Sequence, residues 1–181
     1  MPEANSFIRP EVLLSTIGLR AQQTFVHLGC GAGFYLIPAA RIVGSKGKSI
    51  GVDLLPDMIA EADNKARHQG LAGVVQTFRA NIENPGGSGL PAKSADIVLV
   101  ANILHQSDPS KVLLEAARIV SAIGSVVIVE WNTAATPFGP PAQHRRTAEE
   151  MKTIAASSGL TLTKEFAPSP YHYGLVFALK K

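Results

Sequence analysis

The sequence predicts an α/β fold, a doubly wound and mostly parallel sheet of seven strands with an antiparallel strand at its C-terminal end. Three observations carry that expectation. Apolar strand segments alternate with helix-patterned segments from residue 24 to about 159. Two strand segments, 160–166 and 173–179, then follow one another with no room for a helix between them. The first strand runs straight into three glycines at alternate positions, Gly29, Gly31 and Gly33. Strands separated by helices pair in parallel through right-handed crossovers that cover both sheet faces, whereas two strands joined by a short turn pair antiparallel.

Each element has its own signal. Residues 10–19 have the spacing of a short amphipathic helix, and 24–28 are apolar enough for a strand buried on both faces. A helix over 34–43 ends at Gly44, a turn at 45–48 follows, and 49–53 form the second strand. Pro56 suits the first turn of a helix reaching about residue 70. Residues 74–79 are the third strand, and the Gly- and Pro-bearing stretch 84–91 is a loop. The fourth strand is 95–101, after which Asp108 and Pro109 supply an N-cap and a first-turn proline for a helix to about residue 121. Residues 125–130, nearly all Val and Ile, are the fifth strand. Pro137, Gly139, Pro140 and Pro141 make 133–146 an irregular loop of a length that usually signals function. Thr147 and Glu150 match a capping box, opening a helix that stops near Gly159.

At 181 residues and 46% hydrophobic, the chain fits one domain over 1–181, with 1–20 as a helical extension and 133–146 as a loop on the substrate side. Cys30 is the only cysteine, which excludes an intrachain disulfide and a cysteine-based zinc site; no metal site is expected, and a reducing, cytoplasmic setting fits. No window holds about 18 uninterrupted apolar residues, so no membrane span is expected, and the first residues lack the apolar core of a signal peptide. The net charge of +3 is spread thinly, with Arg145 and Arg146 adjacent, and reads as a solvated surface rather than a nucleic-acid patch.

The glycine turn carries most of the chemistry. Gly29, Gly31 and Gly33 let a nucleoside-bearing cofactor approach the backbone. A dinucleotide fingerprint, G-x-G-x-x-G, would need glycine at position 34, where Phe34 stands, which argues against NAD or FAD. Gly86-Gly87-Ser88-Gly89 lacks the G-x-x-x-x-G-K-[ST] pattern of a phosphate cradle and reads as a flexible loop.

In the combination of Gly29-Cys30-Gly31-Ala32-Gly33, Val52-Asp53, Asn81-Ile82-Glu83, Asn102-Ile103-Leu104-His105 and the closing antiparallel pair, the chain resembles class I S-adenosylmethionine-dependent methyltransferases over about 10–181. It resembles in particular the small group similar to ubiquinone and menaquinone C-methyltransferases. The resemblance implies a Rossmann-like class I methyltransferase fold, S-adenosylmethionine as cofactor, and a small acceptor; Trp131, Phe138, Tyr171 and Tyr173 add a mild preference for an aromatic or apolar one.

Residue by residue, the resemblance implies that Asp53, with Leu54 beside it, holds the ribose hydroxyls; otherwise Asp53 caps the helix near Pro56. It implies that Asn81 accepts from the adenine amino group where the family usually has an acid, with the Ile82 amide serving the ring; otherwise Asn81 is a turn residue. Asn102 borders the site after the fourth strand. His27 stands where the family has Asp or Glu holding the cofactor's amino group; otherwise it is a strand histidine with an ordinary partner. Losing that charge weakens binding by roughly ten- to hundredfold.

His105 leads the candidates for a base or substrate contact, followed by His144, Glu130 and His172. The plain alternatives are packing under the cofactor for His105 and a solvated loop position for His144. Trp131, Phe138, Tyr171 and Tyr173 lie toward the expected acceptor side, and Tyr35 toward the cofactor. Asn102 is not followed by two prolines, so the signature of DNA base methylation is missing and a small-molecule partner is expected. Only about 20 residues precede the first strand, so closure falls to the 133–146 loop, the N-terminal helix or another subunit of a homo-oligomer. Two other functions remain: a non-catalytic or regulatory domain of the same fold, which His27 favours, and an NAD(P)-dependent oxidoreductase, which Phe34 disfavours.

Overall fold

In the computed structural model, which describes residues 8–134 and 136–180, the elements run in the expected order. They are α1 (Pro10–Thr16), β1 (Thr24–Leu28), α2 (Leu36–Val43), β2 (Lys48–Asp53), α3 (Pro56–His68), β3 (Val75–Arg79), β4 (Ala95–Ala101), α4 (Pro109–Ile119), β5 (Val120–Trp131), α5 (Ala148–Ser157), β6 (Leu160–Ser169) and β7 (His172–Leu179). A single 3₁₀ turn, Ala142–His144, interrupts the long loop before α5. The seven strands form one sheet in the order β3-β2-β1-β4-β5-β7-β6. β1 pairs in parallel with β2 and β4, and β7 lies antiparallel between β5 and β6.

Period-2 alternation sorts the strand residues between two cores. Val26, Leu28, Val98, Val100, Val126 and Ile128 pack under α4 and α5 with Leu113, Met151 and Phe177. Phe25, Leu99, Val127 and Val129 pack under α1 and α2 with Leu13, Leu14 and Tyr35. His27, between Phe25 and the glycine turn, is on the α1–α2 face and buried, its ring edge-on to Tyr35 at 5.4 Å.

The caps behave as the sequence implies. Asp108 accepts from the Ser110 and Lys111 amides, and Thr147 and Glu150 form the reciprocal capping box of α5. Several boundaries differ from expectation: α1 ends at Thr16 rather than at 19, β6 runs to Ser169 rather than to 166, and two further differences fall at turns. α2 begins at Leu36 rather than Phe34, because the turn continues through Gly33 at φ +85°. β5 begins at Val120, directly after α4, where a connecting turn to residue 124 was expected. Val120 pairs with Ala95, and Gly124 lets the backbone pass the Asp96 carbonyl, which a Cβ would meet at 2.7 Å.

The Gly86–Gly89 loop is a correction as well. The buried Glu115 carboxylate accepts from the Gly86 and Ser88 amides and the Ser88 hydroxyl, and Arg118 bridges it to the Leu90 carbonyl. Burial opposes the charge on Glu115, but the bonds from Arg118 and Ser88 outweigh it and hold the carboxyl down to about 2. The loop is pinned by an ion pair, a role no local glycine pattern encodes.

Candidate cofactor and acceptor site

At the carboxyl end of β1 the backbone turns through Gly29 at φ +75° and Gly31 at φ +51°, a conformation that disfavours any side chain. The amides of Gly29 and Cys30 donate to the Val52 carbonyl at 2.8 and 3.1 Å, fastening the turn to the end of β2. One residue further, Asp53 Oδ2 accepts the Gly31 amide at 2.9 Å and Oδ1 accepts the Leu55 amide at 2.9 Å. Asp53 therefore joins the turn to the start of α3, whose N-cap is Leu55. Each carboxylate oxygen keeps acceptor capacity after one such bond.

A cavity of about 460 Å³ opens above this turn. Gly29, Gly31, Asp53, Leu54, Asn81, Ile82 and Asn102, all expected at the cofactor site, line it together. Leu54 and Leu55 are more than half exposed there, an unusual state for large apolar side chains and one suited to a flat ligand face. Ile103, expected on the substrate side, also lines the cavity, and Leu55, Met58, Ala80, Glu83, Gln106 and Ser107 complete the wall without having been singled out as site residues. Leu55 and Met58 were findable as apolar residues flanking the acid. Gln106 and Ser107 carried no local signal, since only the turn after β4 brings them over the cavity.

Two expected residues lie elsewhere. Gly33 does not border the cavity: a Cβ there would sit 3.3 Å from the Ala62 side chain, so this glycine lets the turn pack against α3. His27 does not border it either. Neither ring nitrogen has a hydrogen-bond partner, so the expected ordinary partner for a strand histidine is not found. Burial pushes its pKa down to about 3, leaving a neutral imidazole. Asn81 Oδ1 accepts the Glu83 amide at 2.9 Å, the turn role, while its side chain still faces the cavity. Cys30 is buried, and burial together with the charge of Asp53 pushes its thiol up to about 12, which removes it as a nucleophile.

The candidate bases separate in space. Glu130, at the end of β5, is 1% exposed; Oε1 accepts the Leu104 amide at 2.7 Å and Oε2 lies 3.2 Å from His105 Nδ1. Glu130 thereby locks the turn after β4 and orients His105. Contrary to expectation, neither His105 nor Glu130 lines either cavity, and His144, exposed on the 3₁₀ turn in the solvated position of the plain alternative, lines neither as well.

A second, smaller chamber of about 140 Å³ is lined by Ile8, Phe34, Tyr35, Asn102, Trp131 and His172. Asn102, at φ +54°, belongs to both cavities, and its Oδ1 is buried without a partner. His172 packs against Trp131 with ring centroids 4.1 Å apart and the planes tilted by 43°, and Nδ1 lies 2.8 Å from Ser169 Oγ. Burial, aided by the charge of Arg145, pushes its pKa down to about 4. Tyr173 points through the sheet to the opposite core, so of the tyrosines and histidine expected near the pocket at 171–173 it is His172 that lines the chamber.

The residue missed altogether is Arg145. Buried, it donates to the carbonyls of Asn132, Ala134, Phe138 and Pro140 and lies 5.4 Å above the Trp131 ring. A loop rich in proline has carbonyls but few amides to satisfy them, and a five-donor guanidinium supplies the deficit. The proline count was the signal.

Comparison with known proteins places this geometry among relatives. The methyltransferase domain family matches residues 19–169. The chain is 33% identical over 119 residues to aklanonic acid methyltransferase DauC of Streptomyces sp. (strain C5), covering 64% of this chain and 52% of that protein. It is 29% identical over 116 residues to the ubiquinone/menaquinone biosynthesis C-methyltransferase UbiE of Vibrio vulnificus (strain YJ016), covering 64% and 44%. The chain thus spans about half the length of these curated relatives. A crystal structure of a SAM-dependent methyltransferase from Aquifex aeolicus superposes with a TM-score of 0.87 at 26% identity, covering 98% of this chain and 93% of that one.

Proposed function

We propose that this chain, which belongs to the methyltransferase domain family, transfers a methyl group from S-adenosylmethionine to a small acceptor, with 1–181 acting as one catalytic domain. The observation that carries this reading is Asp53, a carboxylate fixed by two backbone amides with spare acceptor capacity on a 460 Å³ cavity. The cavity's residues fit the cofactor: glycines that clear the backbone, a carboxylate for the two ribose hydroxyls, an amide at Asn81, and apolar Leu54, Leu55, Met58 and Ile82 for the faces of adenine. When bound, S-adenosylmethionine supplies a methyl carbon already activated by a positively charged sulfur. The chain's task is to hold, desolvate and align.

For acceptors that carry a proton, His105 is the candidate proton acceptor, held in place by Glu130. Arg145 is buried on carbonyls, so it adds nothing to a phosphate-binding surface, which supports a small molecule over nucleic acid. Among the described residues no helix is long and apolar enough to cross a membrane; with the single buried Cys30 this fits the reducing cytoplasm. His27 favours a second reading, a non-catalytic domain that binds the spent cofactor, since a neutral ring stands where the family has a charge.

Titration calorimetry tests both. Wild-type protein is expected to bind S-adenosylmethionine and S-adenosylhomocysteine at micromolar concentration and not to bind NAD(P). Asp53→Ala should weaken both by about a hundredfold, since hydrogen bonds to a charged group contribute roughly 1.5 to 3 kcal/mol each. Absence of binding at millimolar cofactor overturns both readings. Methyl transfer from labelled donor to any acceptor in a panel of small molecules excludes the second.

A further inference from the structure

Helix α3 is fastened to the glycine turn at two places. At the helix start, Asp53 accepts the Gly31 amide on one oxygen and the Leu55 amide on the other. Further along the helix, Lys65 Nζ donates to the Ala32 carbonyl at 3.0 Å, across 33 positions of sequence. Ala62 and Lys65 are three residues apart and so share a helix face. That face carries both contacts with the turn, since a Cβ at Gly33 would sit 3.3 Å from the Ala62 side chain. Glu61, one turn before Lys65, pairs with the same ammonium at 2.7 Å.

The bond to Ala32 falls where the backbone is least constrained. Gly31 at φ +51° and Gly33 at φ +85° flank Ala32. Glycine adopts these angles without steric cost but adopts others as readily, so the turn's own sterics do not select the conformation that opens the cavity. The peptide unit between Ala32 and Gly33 is held at both ends instead: the Gly33 amide donates to the Cys30 carbonyl at 3.1 Å, and the Ala32 carbonyl accepts from Lys65. Rotation of that unit breaks both bonds and disturbs Gly31, which lines the cavity and gives its amide to Asp53.

We infer that Lys65 is a positioning residue for cofactor binding: through the Ala32 carbonyl it holds the Gly31–Gly33 turn in the conformation that receives the ligand. Lys65 does not line the cavity, so it acts through the turn and not by contact. A turn ordered beforehand spares the ligand the cost of ordering it. The lysine side chain is 43% exposed, which keeps the effect modest. Charge alone works in the other direction, because a cation near the site opposes a sulfonium and is indifferent to an uncharged thioether. The effect on affinity rests on the methyl-transfer reading; the effect on the turn does not.

The test uses Lys65→Met, which keeps the aliphatic stem and removes the donor, and Lys65→Arg, which keeps a donor, both in the full chain. By calorimetry, Lys65→Met should weaken S-adenosylhomocysteine and S-adenosylmethionine alike, by about fivefold, and Lys65→Arg should return both to within about twofold of the wild type. Amide hydrogen exchange without cofactor gives a second readout. The Gly31 and Gly33 amides should exchange about fivefold faster in Lys65→Met and at the wild-type rate in Lys65→Arg, while the amides of β4 and β5 do not change. Faster exchange across the whole sheet marks a general loss of stability and overturns the proposal. Tighter S-adenosylmethionine with unchanged S-adenosylhomocysteine, the signature of charge alone, overturns it as well. If the wild type binds neither nucleoside while Gly33 still responds to Lys65→Met, the methyl-transfer reading fails and the hold of Lys65 on the turn stands. If the wild type binds both and Lys65→Met binds them as tightly, the role of Lys65 fails alone.

Discussion

Asp53 and Glu130 both stand at the carboxyl end of a parallel strand, yet the two halves of that edge use their carboxylates in opposite ways. Around β1, β2 and β3, Asp53 takes one backbone amide on each oxygen and faces an open cavity. Around β4, β5 and β7, Glu130 is 1% exposed and both of its oxygens are committed, to the Leu104 amide and to His105. Each carboxylate has one internal partner on each oxygen, so burial, and neither residue type nor partner count, decides which strand-end carboxylate is open to a ligand. The same contrast holds for the glycine-rich segments. The Gly29–Gly33 turn opens onto the cavity, while the Gly86–Gly89 loop is closed by Glu115. On the acceptor side the unspent capacity resides in imidazole and amide instead, at His172 and Asn102.

The largest effect expected from this contrast is in acid. His27 and His172 have folded-state pKa values of about 3 and 4, below the unfolded value of 6.5, so the unfolded chain takes up more protons as pH falls below 6.5. Stability contributed by keeping them neutral is whole above that pH and declines at about 1.4 kcal/mol per pH unit for each ring, down to their folded pKa values. Glu115 adds a second loss below its unfolded value of 4.5. Urea denaturation between pH 7 and 4.5 should therefore show a falling free energy, and His27→Phe should remove about half of that slope. An unchanged slope in the variant contradicts the burial of a neutral ring.

Arg145→Ala comes next. Losing four carbonyl partners in a buried setting should cost roughly 2 to 4 kcal/mol in chemical denaturation. Cofactor affinity should stay within about twofold, because the guanidinium serves the acceptor side only. A loss of S-adenosylhomocysteine binding comparable to that of Asp53→Ala would merge the two halves into one unit.

His27→Asp should gain about tenfold in S-adenosylmethionine affinity by calorimetry, with a lower melting temperature in the free protein, since the carboxylate then stands buried without a cationic partner until the cofactor arrives. No gain means that the ring's position behind the turn already excludes contact with the cofactor. Smallest of all, His144→Ala should alter stability, cofactor affinity and methyl-transfer rate by less than about twofold, whereas His105→Ala should lower the rate by about a hundredfold for acceptors that must lose a proton.

Local signals made the frame legible. The alternation of apolar segments set the succession of elements and the sense of the strands, Asp108 and Thr147 with Glu150 marked helix starts by one-residue rules, and the glycine turn with the residues ending the next strands announced the cavity at Gly29, Gly31, Asp53 and Asn102. These are short-range effects of backbone sterics and hydrogen bonding, so the sequence determined them alone. What tertiary structure decided is where polar capacity is spent. His27 could have been a cofactor contact or an ordinary strand residue, and only the packing of Tyr35 and Phe25 around it makes it a neutral ring with no partner. Arg145 reads as a surface charge until the carbonyls of four loop residues converge on it. Glu115 reads as a helix surface residue until the Gly86–Gly89 loop folds over it. A side chain's burial and its partners depend on segments distant in the chain, and no local pattern carries them.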